Sequence, residues 1–465
     1  MPHKNIIPKD NAAVLEEIRN SEATHVKVAV ADIDGVLRGK YLLKDKFFSS
    51  VEGSFGFCNV IFGWDSTDVC YDNSSYTGWH SGYPDAQAKV DLSTYRQIPW
   101  DNHTPFFLGD FEDGKGNPLS ICPRQLLKKI IQKLKVAGFA AKTGIEYEWF
   151  NFKETPQSWA DKKYTSPEPI TPGMFGYSLL RSSLNQPFFA ALLSELNQFR
   201  IPLEGLHTET GPGVLEAAIL YSDPLEAADR GILFKTAVKE IGYRFGIMPS
   251  FMAKWSQTLP GCSGHIHQSL WNCDSTGKAG ETNVFYDPKD PHKMSALFKS
   301  FLAGQLQCLP EILPFCAPTI NSYRRLVDGF WAPTQSNWGV DNRTTAFRVI
   351  AGNSKSTRLE ARITGSDINP YIASAALLAA GLMGIEKNLN LEEKPVIGSA
   401  YLNKNTQRLP RTLQEATQKL SDSKIAREIL GEVFVNHFVK TREWEWTQFQ
   451  DSVSQWELKR YFEII

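Results

Sequence analysis

Acidic and imidazole side chains recur on alternate positions of four short segments, the spacing that metal-assisted chemistry on a sheet needs. In TGIEYEWFNF (143–152), strand periodicity puts Glu146, Glu148, Phe150 and Phe152 on one face and Ile145, Tyr147 and Trp149 on the other. Two neighbouring carboxylates in an apolar run repel each other unless a proton or cation neutralises them, and a hard divalent cation suits oxygen ligands. Taken alone, the pair reads more readily as charges on a solvated edge strand. In GLHTETGPGVLEAAI (205–219), Glu209 ends one strand and Glu216 lies in the next, across a Gly-Pro-Gly turn. Such a hairpin can bring both acids to one site. Glu216 among apolar neighbours is costly to bury without a partner, although an outward-facing acid on a half-exposed strand is an equal alternative.

PGCSGHIHQSLW (260–271) alternates His265, His267 and Ser269 on one face. Two imidazoles presented to one point are a moderately specific metal or phosphate signal, where a lone histidine reads as core. NSKSTRLEARI (353–363) aligns Arg358, Glu360 and Arg362, which by themselves read as a surface ion-pair ladder. Together the segments supply five glutamates, two histidines and several arginines, the composition of a polar funnel. The carboxylates suit Mg²⁺ or Mn²⁺. Arginines from RRLV (324–327), DNRTTAFR (341–348) and TRLEAR (357–362) offer paired donors for phosphate and carboxylate. No GxxxxGK[ST] motif is present, so a nucleotide site here is not a P-loop.

The chain that must position these groups has 465 residues, more than the roughly 250–300 at which single cores stop growing, so two units are expected. Residues 25–45 read as a strand and hairpin turning at Asp34-Gly35. Gly and Pro crowd GDFEDGKGNP (109–118), and a helical pattern follows at 123–138 with Gly138 as its stop. A boundary near Gly114 therefore divides 1–113 from 114–465. The second unit mixes short alternating segments with helices at 222–242 and 411–463, which argues for an α+β domain on antiparallel strands.

Lys plus Arg number 50 and Asp plus Glu 51, a net charge of -1 that gives no field for nucleic acid or an acidic membrane. Seven cysteines without a CxxC pair fit neither a disulfide scaffold nor a zinc ribbon, and suit a reducing interior. The opening MPHKNIIPKDNAAVLEEI carries no apolar core of signal-peptide length. The apolar stretch Tyr371–Ile385 falls short of the ~20 residues of a span and reads as a buried helix. A soluble, cytoplasmic protein is the expectation.

In this order, the four blocks resemble the catalytic domain of glutamine synthetases of the bacterial class I type. The resemblance runs from ADIDGVLRGK (31–40), similar to that family's N-terminal β-grasp domain, to SQWELKRYFEII (454–465). It implies a β-grasp domain followed by a catalytic domain whose antiparallel strands form a funnel, with ATP as co-substrate and two or more divalent ions. By position, Glu148, Glu209 and Glu216 correspond to a first ion site at the substrate's reacting end. Glu146, His265 and Glu360 correspond to a second, at the nucleotide phosphates. Gly261, Arg325 and Arg362 fall where the family binds glutamate. Glu204, His267, Gln268, Ser269, Arg343, Arg348, Lys355 and Arg358 fall where it binds ATP, with Arg343 also counted as catalytic.

The resemblance further implies a two-step ligation. The γ-carboxylate of glutamate attacks the γ-phosphate of ATP, and an amine then displaces phosphate from the acyl phosphate while the loop 324–335 closes over the site. A homo-oligomeric ring with active sites between subunits is implied too, with FGWDSTD (62–68) as the loop lent to a neighbour and Asp65 as its acid. Three positions depart from the family pattern: Trp331 stands where the closing loop carries a glutamate, Val214 replaces a glutamine, and Asp328 a proline. They leave the metal and phosphate residues intact and change the acceptor end. A γ-glutamyl amide made from an organic amine is therefore expected. Ordinary glutamine synthesis from ammonia is the alternative, and a non-catalytic structural or regulatory oligomer a further one.

Overall fold

The computed structural model describes residues 10–273, 277–403 and 406–465. The hairpin expected near Asp34 is present: β1 (His25–Ala31) turns through Gly35, at φ +77°, into β2 (Leu37–Leu43). Asp32 closes the turn by accepting the Asp34 and Val36 N–H groups, while Arg38 donates to its other oxygen at 2.9 Å. With β3 (Phe55–Cys58), β4 (Asp85–Ile98) and β5 (Thr104–Glu112) these strands form a sheet in the order β2-β1-β5-β4-β3, in which β1 and β5 run parallel. Its inner strands are apolar on both faces because both are covered. Val26, Val28, Val30, Phe107 and Phe111 form one core under the sheet, whereas Ala29, Ala31, Phe106 and Leu108 belong to the main core of the molecule.

The second sheet comprises β6 (Phe139–Phe152), β7 (Leu203–Thr208), β8 (Val214–Ile219), β9 (Met248–Ser250), β10 (Gly264–Cys273), β11 (Ala279–Asn283), β12 (Trp338–Val340), β13 (Phe347–Ile350) and β14 (Arg358–Ala361). Its main order is β12-β13-β14-β10-β6-β8-β7. All pairings are antiparallel except β12–β13, which departs from a purely antiparallel expectation. The period-two reading of β6 holds: Ile145, Tyr147 and Trp149 are buried, with Tyr147 stacked on Phe234 of the helix Pro224–Arg244 at 5.9 Å. Opposite them, Glu146 and Glu148 point into the concave face. Beyond Glu148 that face closes over Phe150, Phe152, Val214 and Cys262.

The Tyr371–Ile385 stretch lies within a buried helix, Pro370–Glu386, crossing the helix Ala296–Cys316. A Cβ on Gly304 would come 2.3 Å from the Ala380 carbonyl oxygen, and one on Gly384 2.2 Å from that of Ser300. The small residues of this stretch are therefore packing surface. No helix among the described residues is long and apolar enough to cross a membrane. The run expected as helical at 411–463 is four helices: Leu413–Asp422, Lys424–Leu430, Glu432–Asp451 and Gln455–Tyr461.

One buried cation ties the first sheet to the helices of the second unit. Arg124, on the helix Pro123–Val136, donates to Asp110 of β5 and Asp91 of β4 at 2.9 Å, and with Nε and Nη2 to Asp229 at 2.8 and 2.9 Å. The Tyr371 hydroxyl also donates to Asp229, at 2.6 Å. Removing the guanidinium leaves Asp110 and Asp229 buried with too few donors, a loss of roughly 3–5 kcal/mol. Arg124→Met should therefore lower the urea midpoint sharply, and adding Asp110→Asn and Asp229→Asn should restore part of it. A midpoint equal to wild type in Arg124→Met would refute this role.

Candidate active site

Strand register assembles the acidic site. Glu148 on β6 lies opposite Glu216 on β8; Glu146 lies opposite His265 on β10; His267 lies opposite Glu360 on β14, which in turn faces Arg348 on β13. Like charges directly opposite across a ladder destabilise it, so the sheet holds Glu148 and Glu216 against their mutual repulsion. Five strands contribute to one concave surface, and each places its polar groups by two-residue alternation.

The residues fall into two groups, each with three ligand atoms within 4.8 Å of one another. One is Glu146, His265 and Glu360, matching the second expected ion site. The other is His207, Glu209 and Glu216. His207 was not singled out from sequence, although alternation along β7 already places it beside Glu209. Its Nδ1 is 3.8 Å from Glu209 and its Nε2 3.9 Å from Glu216, and its ring stacks on Tyr177 with centroids 4.4 Å apart. Glu148, expected with Glu209 and Glu216, stands outside this tight group: its Oε2 accepts the Ser263 N–H at 2.6 Å.

The two groups differ in how their charge is balanced. Glu360 is fully buried, yet Arg362, His265 and Arg348 outweigh the penalty of burial and hold its carboxyl down at about 2. Arg348 donates to it at 2.8 Å, Arg362 forms a closer ion pair, and His265 Nδ1 is 3.4 Å away. Glu146 is likewise held low despite burial by His265 and His267, whose Nε2 is 3.2 Å from it. The other group lacks such cations. Burial and the neighbouring Glu148, Glu146 and Glu209 push Glu216 up to about 9, and burial with Glu209 raises Glu148. Burial and Arg362 push His265 down to about 4, leaving a neutral imidazole able to donate a lone pair. Oxygen and imidazole ligands, one neutral histidine and a buried Glu209 Oε2 without a hydrogen-bond partner suit divalent cations.

A cavity of about 250 Å³ opens beside Glu146. Glu204, His267, Gln268, Ser269, Lys355 and Arg358, six of the residues expected at the nucleotide, line it. Arg358 donates to His267 Nδ1 at 3.2 Å. Arg348 lies outside this lining, bound to Glu360 and Asp341, and Arg343 is exposed with its guanidinium unpaired. Around the expected glutamate position, Arg325 is buried, donates to the Ile363 carbonyl at 2.5 Å and keeps its Nε unpaired. A Cβ on Gly261 would lie 2.7 Å from Arg325 Cγ, so glycine leaves the arginine its room. Arg362 donates through Nε to the Arg343 carbonyl at 3.0 Å.

Asp65 and Trp331 lie in loops outside these two groups. Asp65 is buried, and its carboxylate accepts Thr67 N–H and hydroxyl at 2.8 Å, Val69 N–H at 3.1 Å and Trp444 Nε1–H at 3.0 Å. With both oxygens occupied inside its own chain, it acts as a clamp between its loop and the helix Glu432–Asp451. Trp331 is 59% exposed at φ +59° on a loop tethered by neighbours: Asp328 pairs with Arg408 at 2.8 Å, and Lys254 Nζ sits 3.9 Å from the Phe330 ring centroid.

The raised Glu216 carboxyl makes stability depend on pH. A group whose folded pKa lies near 9 keeps its proton in the folded chain after the unfolded chain has lost it, so its contribution disappears as pH rises through that range. Lys235, pushed down to about 7 by burial, works in the opposite direction, which makes the comparison with Glu216→Gln the informative one. In chelator-treated protein the melting temperature of Glu216→Gln should gain on wild type steadily from pH 7 to 9. Saturating Mg²⁺ should erase most of that gain. Parallel pH profiles without metal would contradict it.

Residues 120–461 match the family model for the glutamine synthetase catalytic domain. The chain is 57% identical over 455 residues to Type-1 glutamine synthetase 2 of Dictyostelium discoideum, covering 97% of this chain and 86% of that protein. It is 36% identical over 446 residues to the glutamate–isopropylamine ligase of a Pseudomonas species, and 35% identical over 454 residues to the gamma-glutamylethanolamide synthetase GlnA4 of Streptomyces coelicolor, with 95% of each chain covered in both cases. Among solved structures, the GmaS/ADP complex superposes with a TM-score of 0.83 at 25% identity, over 97% of this chain and 99% of that one. With its carboxylate and imidazole groups set on such a sheet, this chain belongs to the glutamine synthetase family of ATP- and divalent-metal-dependent glutamate–ammonia or glutamate–amine ligases.

Proposed function

We propose that this enzyme makes a γ-glutamyl amide from glutamate and an organic amine. The observation that carries the reading is Trp331, an exposed indole on the loop 324–335; in this reading the loop closes over the site, where a carboxylate would be needed to hold ammonium. An indole offers a broad apolar face and a cation–π attraction of roughly 0.5–2 kcal/mol, which suits an amine bearing carbon. Tyr177, stacked on His207 beside Glu209 and Glu216, adds a second aromatic wall next to negative charge. The likeness to ligases named for isopropylamine and ethanolamide supports the same reading. The greater identity to a type-1 glutamine synthetase favours ammonia as the second reading.

In this mechanism ATP enters the cavity beside Glu146 with its phosphates toward His267, Arg358 and Arg343. Arg325 and Arg362 hold glutamate by its carboxylate, and Gly261 keeps the approach open. The γ-carboxylate oxygen attacks the γ-phosphorus and ADP leaves; the neutral amine then attacks the acyl carbon and phosphate leaves. Arg343, whose guanidinium has no partner among the described residues, is free to meet charge on the transferring group. Glu146, His265 and Glu360 would hold one divalent ion, and Glu209 and Glu216, with His207 and Glu148, another. Mg²⁺ or Mn²⁺ there supplies Lewis-acid neutralisation of the phosphoryl and carboxylate oxygens. The loop 324–335 excludes water while the acyl phosphate exists.

Ring assembly is part of the reading, supported by the exposed apolar side chains Phe175, Leu179, Leu180 and Leu184 along one segment. A cytoplasmic setting is proposed, consistent with the absence of an apolar spanning helix among the described residues. A division at 113/114 is proposed, since the first sheet ends at Glu112 and the next helix starts at Pro123.

Comparing kcat/KM for ammonium and for a panel of primary alkyl- and hydroxyalkylamines tests the acceptor. Wild type should favour a carbon-bearing amine by about tenfold or more, and Trp331→Glu should shift the preference toward ammonium. Best use of ammonium by wild type, unchanged in Trp331→Glu, would reject the organic-amine reading. Absence of glutamate- and Mg²⁺-dependent ATP turnover with every acceptor would favour a non-catalytic oligomer.

A further inference from the structure

The cavity beside Glu146 extends to a cation, Lys142, that no acid among the described residues has claimed. Along β6, Lys142, Gly144 and Glu146 occupy alternate positions on one face, so Lys142 stands about 13 Å from the Glu146 group. That is the scale separating the polyphosphate of a nucleotide from its base. Lys142 and Glu146 both line the cavity, as do Tyr221 and Trp271. The Lys142 ammonium lies 4.2 Å from the Trp271 ring centroid and 5.8 Å from that of Tyr221. Trp271 is fixed in turn, since its Nε1–H donates to Ser269 Oγ at 2.9 Å, and Ser269 is the residue opposite Lys142 in the β6–β10 ladder.

Neither ring accepts a conventional hydrogen bond from this ammonium, and it forms no ion pair or hydrogen bond with any described residue. Its three donors therefore face a cavity with flat aromatic walls. The occupant such walls fit is a planar heterocycle, and the ammonium demands an acceptor on its edge. We propose that Lys142 is a specificity-determining residue that reads the nucleobase, donating from its Trp271-supported ammonium to a ring nitrogen of the purine. This rests on the nucleotide reading of the cavity and goes beyond it by assigning base selection to one side chain.

Equilibrium binding of Mg²⁺–ATP to the full chain, without glutamate, tests the assignment. The comparison uses wild type, Lys142→Met and Lys142→Arg, with ATP and its 1-deaza, 3-deaza and 7-deaza analogues. Lys142→Met keeps the length of the side chain and loses its donors; it should bind ATP roughly tenfold more weakly. Lys142→Arg keeps donors and should stay within about threefold of wild type. One deaza analogue should bind wild type roughly tenfold more weakly than ATP, and Lys142→Met should abolish that difference. A purely structural lysine would weaken ATP and all analogues alike, which would overturn the proposal. Equal ATP affinity in Lys142→Met and wild type, or equal affinity of wild type for ATP and all three analogues, would also overturn it while leaving the nucleotide reading intact. No ATP binding by wild type at all would remove both.

Discussion

Carboxylates brought closer together than water would tolerate are the constraint on which this molecule is built. Glu148 and Glu216 face each other across one ladder with Glu209 beside them, and the buried surroundings strengthen every repulsion. The fold withstands this because its other surfaces are well satisfied: the Ile145, Tyr147 and Trp149 face of β6 is packed against helix and ring, and the Arg124 network locks the first sheet to the helix Pro224–Arg244. The unfavourable energy is then available to a cation, which binds where the chain alone is least comfortable.

The two halves of the site meet the constraint differently. On the Glu360 side, Arg348 and Arg362 supply compensating charge and the His265 and His267 rings lie against the carboxylates, which stay ionised without metal. On the Glu216 side burial and the neighbouring carboxylates outweigh Arg362, and the folded chain retains a proton instead. A preformed charged cradle thus adjoins one that is completed when a cation displaces a proton. Phosphoryl transfer needs positive charge aimed at the phosphate, and condensation needs room for a neutral amine. The cradle rich in arginine and histidine borders the cavity beside Glu146, while the protonated one borders Tyr177.

The loop 324–335 is held by contacts outside the two acidic groups. Asp328 to Arg408 and Thr334, and Phe330 under Lys254, fix its two ends, while Trp331 between them remains solvated at a left-handed φ. A bulky residue held there marks a local cost accepted for position. Asp65 illustrates the converse. An acid in a loop of suggestive sequence accepts from four donors and pins that loop to the helix Glu432–Asp451.

Much of the chemistry was legible in the residues alone, because a strand has a period of two whatever it pairs with. Glu146 and Glu148 on one face of β6, His265 and His267 on β10, and Arg358, Glu360 and Arg362 on β14 follow from alternation. The helix at 123–136 and the Gly35 turn follow from local signals of the same kind. Tertiary structure alone decided the grouping, because strand order and register are set by packing among segments far apart in sequence. The pairing of His267 with Glu360, 93 positions further along the chain, the entry of His207 into the Glu209–Glu216 group, and the departure of Glu148 toward Ser263 have no local signature. Nor does the fate of Asp65: whether an acid reacts or merely holds depends on how many donors reach it, and the Trp444 indole arrives from the far end of the chain.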